Sequence, residues 1–172
     1  HKVQLVAPTD YPEFLKWLPG TKRVMIGPND PDMAKWAFEG ADIIFCLDFN
    51  ALRRLNDFEK AVGDSPAIKI MIDHHLDPDD FYQYSYSDST ASSTAELVYR
   101  FILARGDKDK ITREMAECLY TGLMTDTGSF RFSSTTLAVH EMAGNLIETG
   151  IKVTEIHDAV YSQASLERLQ FL

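Results

Sequence analysis

The sequence predicts an α/β fold, a mostly parallel sheet flanked by helices, with a helical C-terminal portion. Three observations carry that expectation. Short apolar runs alternate with helical patterns of roughly ten residues through the first half, as in a parallel sheet with crossover helices. Two successive runs, 42–48 and 68–73, each end in an aspartate. From Ser92 onward almost all apolar periodicity is helical.

Taken in order, Lys2 to Ala7 alternates, turns apolar and stops at Pro8, so it reads as a strand. Pro12 suits the first turn of a short helix over Glu13 to Leu18, ended by Pro19-Gly20. Arg23 to Ile26 is a second short strand, closed by Gly27-Pro28-Asn29-Asp30. Asp30-Pro31 has the form of an N-cap and a first helical residue, predicting a helix from Asp32 to Glu39. Asp42 to Asp48 is a strand, and Ala51 to Val62 reads as helix. Ile68 to Asp73 is a buried strand that delivers Asp73-His74-His75 at its end. Phe81 to Tyr86 is an edge strand, with Tyr82, Tyr84 and Tyr86 alternating as on a half-exposed strand.

Ser92, Ser93 and Thr94 open a helix to Ala104, with Ala95, Val98, Phe101 and Ile102 at helical spacing. Glu96 lies three residues after Ser93, the capping-box arrangement. A helix start crowded with hydroxyls can also receive an anion, because its free N–H groups point outward. Thr112 caps a helix over Arg113 to Met124, with Met115, Leu119 and Leu123 on one stripe. Phe130-Arg131-Phe132 reads as short and extended. Helices follow over Thr135 to Glu148, over Val153 to Tyr161 and from Leu166 onward. Phe101, Leu119 and Leu123 are expected in the core, and His140 and His157 as surface or packing residues.

The chain has 172 residues, 45% of them hydrophobic and 25% charged, which suits one domain with a real core. No apolar run approaches the ~18 residues that span a bilayer. Cys46 and Cys118 both sit in apolar stretches, so buried free thiols and a cytoplasmic setting are expected. A net charge of −9 argues against a broad face for long duplex nucleic acid. It leaves room for a small phosphorylated substrate held by a metal.

The chemistry gathers at element ends: Asp48, Asp73-His74-His75 and Asp126. In an α/β sheet, ligands collect beyond the carboxyl ends of the strands. Neighbouring strands would bring Asp48 and Asp73 together, at about 5 Å per strand. Carboxylates with imidazole suit Mn²⁺, Mg²⁺ or Zn²⁺. Two such ions about 3.5–4 Å apart suit phosphoester hydrolysis. The spacing fits no zinc finger, and no HExxH is present.

On these residues the sequence resembles the DHH phosphoesterase family. The resemblance rests on LDFN at Leu47 to Asn50, IMIDHH at Ile70 to His75, ASSTAE at Ala91 to Glu96 and GLMTDTGSFRF at Gly122 to Phe132. The wording of the last motif is most similar to the branch of oligoribonucleases and 3′-phosphoadenosine-5′-phosphate (pAp) phosphatases. Cyclic-dinucleotide phosphodiesterases and manganese inorganic pyrophosphatases are more distant relatives. The resemblance implies a Rossmann-like sheet and two ions, Mn²⁺ or Mg²⁺, generating a hydroxide for in-line attack. It implies Asp48, His74 and Asp126 as metal ligands and His75 beside the scissile phosphate. Asp73 would orient a histidine, and Ser93, Thr94 and Arg131 would lie near the substrate. The implied partner is a short oligonucleotide or a phosphorylated nucleotide, with a homodimer possible.

The sequence also departs from the family pattern. The first motif, roughly His-x-x-Pro-Asp-Gly-Asp-Ala, is not present, nor is the glycine-rich second domain. Residues 1–150 are therefore expected to form the catalytic domain without its N-terminal strand and first motif. Residues 151–172 would be a helical segment leading toward a second domain, in a piece of a longer protein with impaired activity on its own. Three rival readings bear on the same residues. Asp126-Thr127-Gly128-Ser129 spells the aspartic-protease signature, but that chemistry needs two such carboxylates and only one copy occurs. A non-catalytic nucleotide-binding domain would explain the missing first motif, though not the intact acids and histidines. A plain α/β interaction domain would not explain acids at strand ends.

Overall fold

A computed structural model describes residues 2–27, 29 and 31–162. Within them every strand pair is parallel. β1 (Leu5–Ala7) pairs with β2 (Val24–Ile26), and β3 (Ile43–Leu47), β4 (Ile68–Asp73) and β5 (Tyr84–Ser87) form a second sheet in that order. The β3–β4 register sets Leu47 opposite Ile72, and the Asp48 N–H donates to the Ile72 carbonyl at 3.2 Å. The two aspartates that end these strands are thus neighbours at one sheet edge, as the sequence expects.

Helices cover the sheet unequally. α1 (Pro31–Glu39) and α2 (Glu59–Asp64) close one face over Cys46, with Ile44 and Val6 packed on the same buried cluster of Ala34, Leu55, Phe58 and Val62. α3 (Thr94–Ala104) closes the other face over Ile72 through Ala91 and Leu97. Register partners share a face, so Ile43, Phe45 and Leu47 lie on that second face, yet they remain 50%, 48% and 46% exposed. β1 and β3 are not paired with each other. Between them, above Phe38, Leu55 and Phe58, lies a small cleft of about 60 Å³, lined by Val6 and Pro8 on one side and Ile44, Phe45 and Cys46 on the other.

The second half is a helical layer. α4 (Arg113–Asp126), α5 (Leu137–Ile147) and α6 (Val153–His157) pack with α3 around Leu123, Met124, Val139 and Leu146, all fully buried. Thr112 and Thr136 cap α4 and α5 by accepting from Met115 N and Val139 N. No helix among the described residues is long and apolar enough to cross a membrane.

Several elements differ from the expectation. Glu13–Leu15 is one 3₁₀ turn and not a helix to Leu18, because the Thr21 hydroxyl donates to the Lys16 and Leu18 carbonyls and turns the chain early. The expected helix from Ala51 to Val62 breaks at Asn56, which has φ 52°. A 3₁₀ segment, Leu52–Phe58, comes first, because burying Leu55 and Phe58 together matches a three-residue repeat. β5 begins at Tyr84, since Phe81 leaves the sheet to stack on Phe49 at 6.0 Å. Phe130 to Phe132 is not extended. Ser129 and Phe130 both have positive φ, and the N–H groups of Arg131 and Phe132 both reach the Thr127 carbonyl.

Phe101 and Met115 are exposed and outside the core, because α3 turns Leu97 and Tyr99 inward and α4 turns Ala116 and Leu119 inward. Cys46 is buried, but Cys118 is exposed beside the Pro19 carbonyl. His140 and His157 are packing residues against Phe130 and Tyr120. The Asp30 cap and the helix from Leu166 lie outside the described residues.

Candidate metal and phosphate site

The site is built where β3 and β4 end and α3 begins. Asp48 follows β3 with φ 64°, a left-handed turn that lifts its carboxylate out of the sheet edge. Short polar residues tolerate that region best after glycine. The Asp48 carboxylate is half exposed, and its Oδ1 accepts from the Thr94 hydroxyl at 2.8 Å. Thr94 is the first residue of α3, so the helix start and the strand end are tied directly.

The two histidines after β4 are held differently. Asp73 is fully buried, and its carboxylate accepts from the His75 backbone N–H at 2.9 Å. Its other oxygen lies 2.8 Å from His75 Nδ1. His74 Nδ1 faces the Ala91 carbonyl at 3.3 Å, while its Nε2 stands 3.7 Å from Asp48 Oδ1. Both Nδ1 atoms are therefore engaged from behind, and both Nε2 atoms are left for a ligand. Ligand atoms of Asp48, His74 and His75 all lie within 4.8 Å of one another. Two imidazoles and a carboxylate are a donor set that fits a divalent transition ion.

Asp126, the last residue of α4, faces this group without joining the 4.8 Å cluster. Burial pushes its carboxyl above the usual range, the Asp48 carboxylate adds to that, and the two imidazoles pull the other way. A second carboxylate beside a first is repulsive without a cation between them, and a cation would relieve it.

The expected substrate residues divide. Thr94 touches Asp48. Ser93 is fully buried, and its hydroxyl caps α3 by accepting from Glu96 N at 3.1 Å. Arg131 is exposed and donates from Nε to the Gly128 carbonyl at 2.8 Å. No hydrogen bond or ion pair among the described residues joins it to the histidines.

Sequence reasoning missed the support behind the site. The capping-box pattern predicts that Glu96 reaches back to the Ser93 N–H, but its buried carboxylate accepts instead from Ser92 N and Ser92 Oγ, both at 2.7 Å. Arg100 pairs with Glu96 on the same helix and with Asp88 at 2.9 Å. The i,i+4 spacing of Glu96 and Arg100 was the available signal. Asn50 ties the loop after His75 by donating to the Leu76 carbonyl and accepting from Asp79 N at 2.8 Å.

Comparison with known proteins gives a consistent picture. A family model described as the DHH family, N-terminal domain, matches residues 2–123. An exopolyphosphatase-related protein of Bacteroides fragilis superposes with a TM-score of 0.94 at 41% identity, over 97% of this chain and 49% of that one. The bifunctional oligoribonuclease and PAP phosphatase NrnA of Bacillus subtilis is 32% identical over 125 residues, 72% of this chain and 39% of that protein. A putative family II inorganic pyrophosphatase of Methanococcus jannaschii shares the fold at a TM-score of 0.53 and 22% identity, over 79% of this chain and 51% of that one. The chain thus spans about half the length of the two solved structures and 39% of the B. subtilis relative.

Proposed function

Since the chain belongs to the DHH family, we propose that it is the metal-dependent phosphoester-hydrolysing domain of a protein acting on short oligonucleotides or pAp. The observation that carries this reading is the convergence of Asp48, His74 and His75 within 4.8 Å at the carboxyl ends of β3 and β4. The name of the B. subtilis relative supports the substrate class.

In this reading Asp48, His74 and Asp126 hold two divalent cations, with Mn²⁺ favoured over Mg²⁺ by the imidazole. When bound, the cations supply Lewis acidity and lower the pKa of water. His75 presents Nε2 to the scissile phosphate, and the Asp73 carboxylate behind Nδ1 would stabilise the imidazolium whose Nε2–H the phosphate accepts. Thr94 steadies Asp48, and Ser93 fixes the helix start whose free N–H groups face the phosphate. Arg131 contributes a cation at the outer rim.

The ligand set is short for two ions. A strand with the first-motif residues, entering between β1 and β3, would pair both open edges and complete it. The unpaired strands and the cleft between them support that placement. The free thiols of Cys46 and Cys118 support a reducing, cytoplasmic setting.

The test is calorimetric titration of Mn²⁺ into this chain and its Asp48→Ala and Asp126→Ala variants, with hydrolysis of pAp and a dinucleotide followed in the longer protein. Weaker binding and lost turnover in both variants are expected. Unchanged binding and turnover would overturn the assignment.

A further inference from the structure

We infer that Glu96 and Arg100 are positioning residues that hold the 88–93 loop so that the Ala91 carbonyl selects the Nδ1–H form of His74. The inference rests on the metal-site reading above and deepens it.

The loop between β5 and α3 is pinned at both ends by one helix. At its start, Arg100 donates to Asp88 Oδ2 at 2.9 Å, and Asp88 Oδ1 in turn accepts from Thr90 N at 2.9 Å and Thr90 Oγ1 at 2.6 Å. The Asp88 N–H reaches the Asp73 carbonyl at 3.3 Å, tying the loop to the end of β4. At its close, Glu96 Oε2 accepts from both the N–H and the hydroxyl of Ser92 at 2.7 Å. The other Glu96 oxygen accepts from Arg100, so one guanidinium fork joins the two pins.

Ala91 sits between the pins, 4% exposed, with its N–H bonded to the Asp88 carbonyl at 3.1 Å. Its own carbonyl is left to face His74 Nδ1 at 3.3 Å. Both ring nitrogens face acceptors, but the Ala91 carbonyl lies within hydrogen-bond reach of Nδ1 and Asp48 Oδ1, at 3.7 Å, lies beyond that reach of Nε2, so the neutral imidazole places its proton on Nδ1. Nε2 is then a bare lone pair aimed at the side of Asp48, which is the form a metal needs. Glu96 and Arg100 do not touch the cluster. They act through the position of one carbonyl oxygen. Without the fork, the loop would relax and His74 would lose the acceptor that decides its tautomer.

The experiment is long-range ¹H–¹⁵N correlation spectroscopy of the metal-free chain at about pH 8, where imidazole is mostly neutral. Mn²⁺ titration is run on the same samples. In the parent chain His74 is expected with a protonated Nδ1 and a bare Nε2. In Glu96→Gln and Arg100→Gln, His74 is expected as a tautomer mixture, with Mn²⁺ affinity down about tenfold. Arg105→Gln removes one positive charge at the far end of α3, from an exposed pair with Asp107, and is expected to change neither. Asp88→Asn leaves the Glu96–Arg100 pair intact and loosens only the first pin. It gives the same decision should Glu96→Gln fail to fold. Retention of the Nδ1–H form in the folded variants, or an Nε2–H form in the parent, overturns the inference. A parent chain that binds no Mn²⁺ overturns the metal-site reading instead, while the tautomer still decides this one.

Discussion

Replacing Asp73 by asparagine tests the inner wall of the site with almost no change of shape. The carboxylate is fully buried and takes two hydrogen bonds from His75, at 2.9 Å from the backbone N–H and 2.8 Å from Nδ1. Bonds to a charged acceptor contribute about 1.5–3 kcal/mol each, against about 0.5–1.5 for neutral ones. An asparagine can keep both bonds only one way. Its oxygen accepts from the backbone N–H, and its amide donates to Nδ1, which must give up its proton. The count of bonds is kept and two charged bonds become neutral, a loss of roughly 2–3 kcal/mol, partly offset because a buried charge is gone. We therefore expect Asp73→Asn to fold and to lose about 1–2 kcal/mol of stability in urea titration. The larger effect is chemical. The neutral amide takes away the carboxylate that would stabilise an imidazolium beside the phosphate, so turnover of pAp by the longer protein falls about ten- to hundredfold. Nitrogen chemical shifts of His75 and the hydrolysis of pAp read the two effects. A variant that keeps the Nδ1–H form, or turns over pAp within a factor of two of the parent, refutes the reasoning.

Three more outcomes follow from other parts of the molecule. Gly27→Ala would place a methyl 2.0 Å from the buried Phe58 ring, itself held edge-on by Phe38, so a loss of about 3 kcal/mol is expected in urea denaturation; an unchanged midpoint refutes it. Burial pushes the Cys46 thiol up to about 11; partial burial and Glu117 raise Cys118 as well, but Cys118 stays open to solvent, so an alkylating reagent near pH 8 should modify Cys118 first and Cys46 only on unfolding. Equal labelling rates would count against this packing. Burial and Asp48 hold the Asp126 carboxyl above its ordinary range, so the folded chain keeps this proton where the unfolded chain has lost it. Metal-free stability should fall as pH rises from the ordinary carboxylate range through the raised value, and Asp126→Asn should abolish that fall. Melts in chelator from about pH 4 to 7 compare the two chains.

What the sequence disclosed, and what it hid, follows the range of the interactions involved. β3 and β4 were legible because an apolar run ending in Asp needs only local pattern, and their pairing put Asp48 and Asp73 side by side as expected. The caps at Ser93 and Thr112 were legible for the same reason. The break at Asn56 was not, because helical spacing and 3₁₀ spacing of Leu52, Leu55 and Phe58 look alike until the cluster under β3 demands the second. The turn at Ser129 and Phe130 hid behind two aromatic residues that favour strands. Phe101 misled because a stripe of four apolar residues does not say which of them the neighbouring helix will cover. In the site, residue types pointed to Asp48 and the histidines, but the Ala91 carbonyl carries no side-chain signature at all. Its role exists only once β4 and the start of α3 are in place.

The left-handed backbone at Asp48 has a consequence for anyone reshaping this protein by selection. An aspartate with φ 64° is strained relative to glycine, and its carboxylate repels that of Asp126, helping to hold the Asp126 carboxyl above its ordinary range. A library sorted only for expression or heat tolerance should therefore enrich Asp48→Gly and Asp48→Asn. Each such winner would be a sturdier fold with an empty centre. Position 48 is where a breeder of stable variants and a breeder of active ones would part company, and the divergence would show in the first round of sequencing.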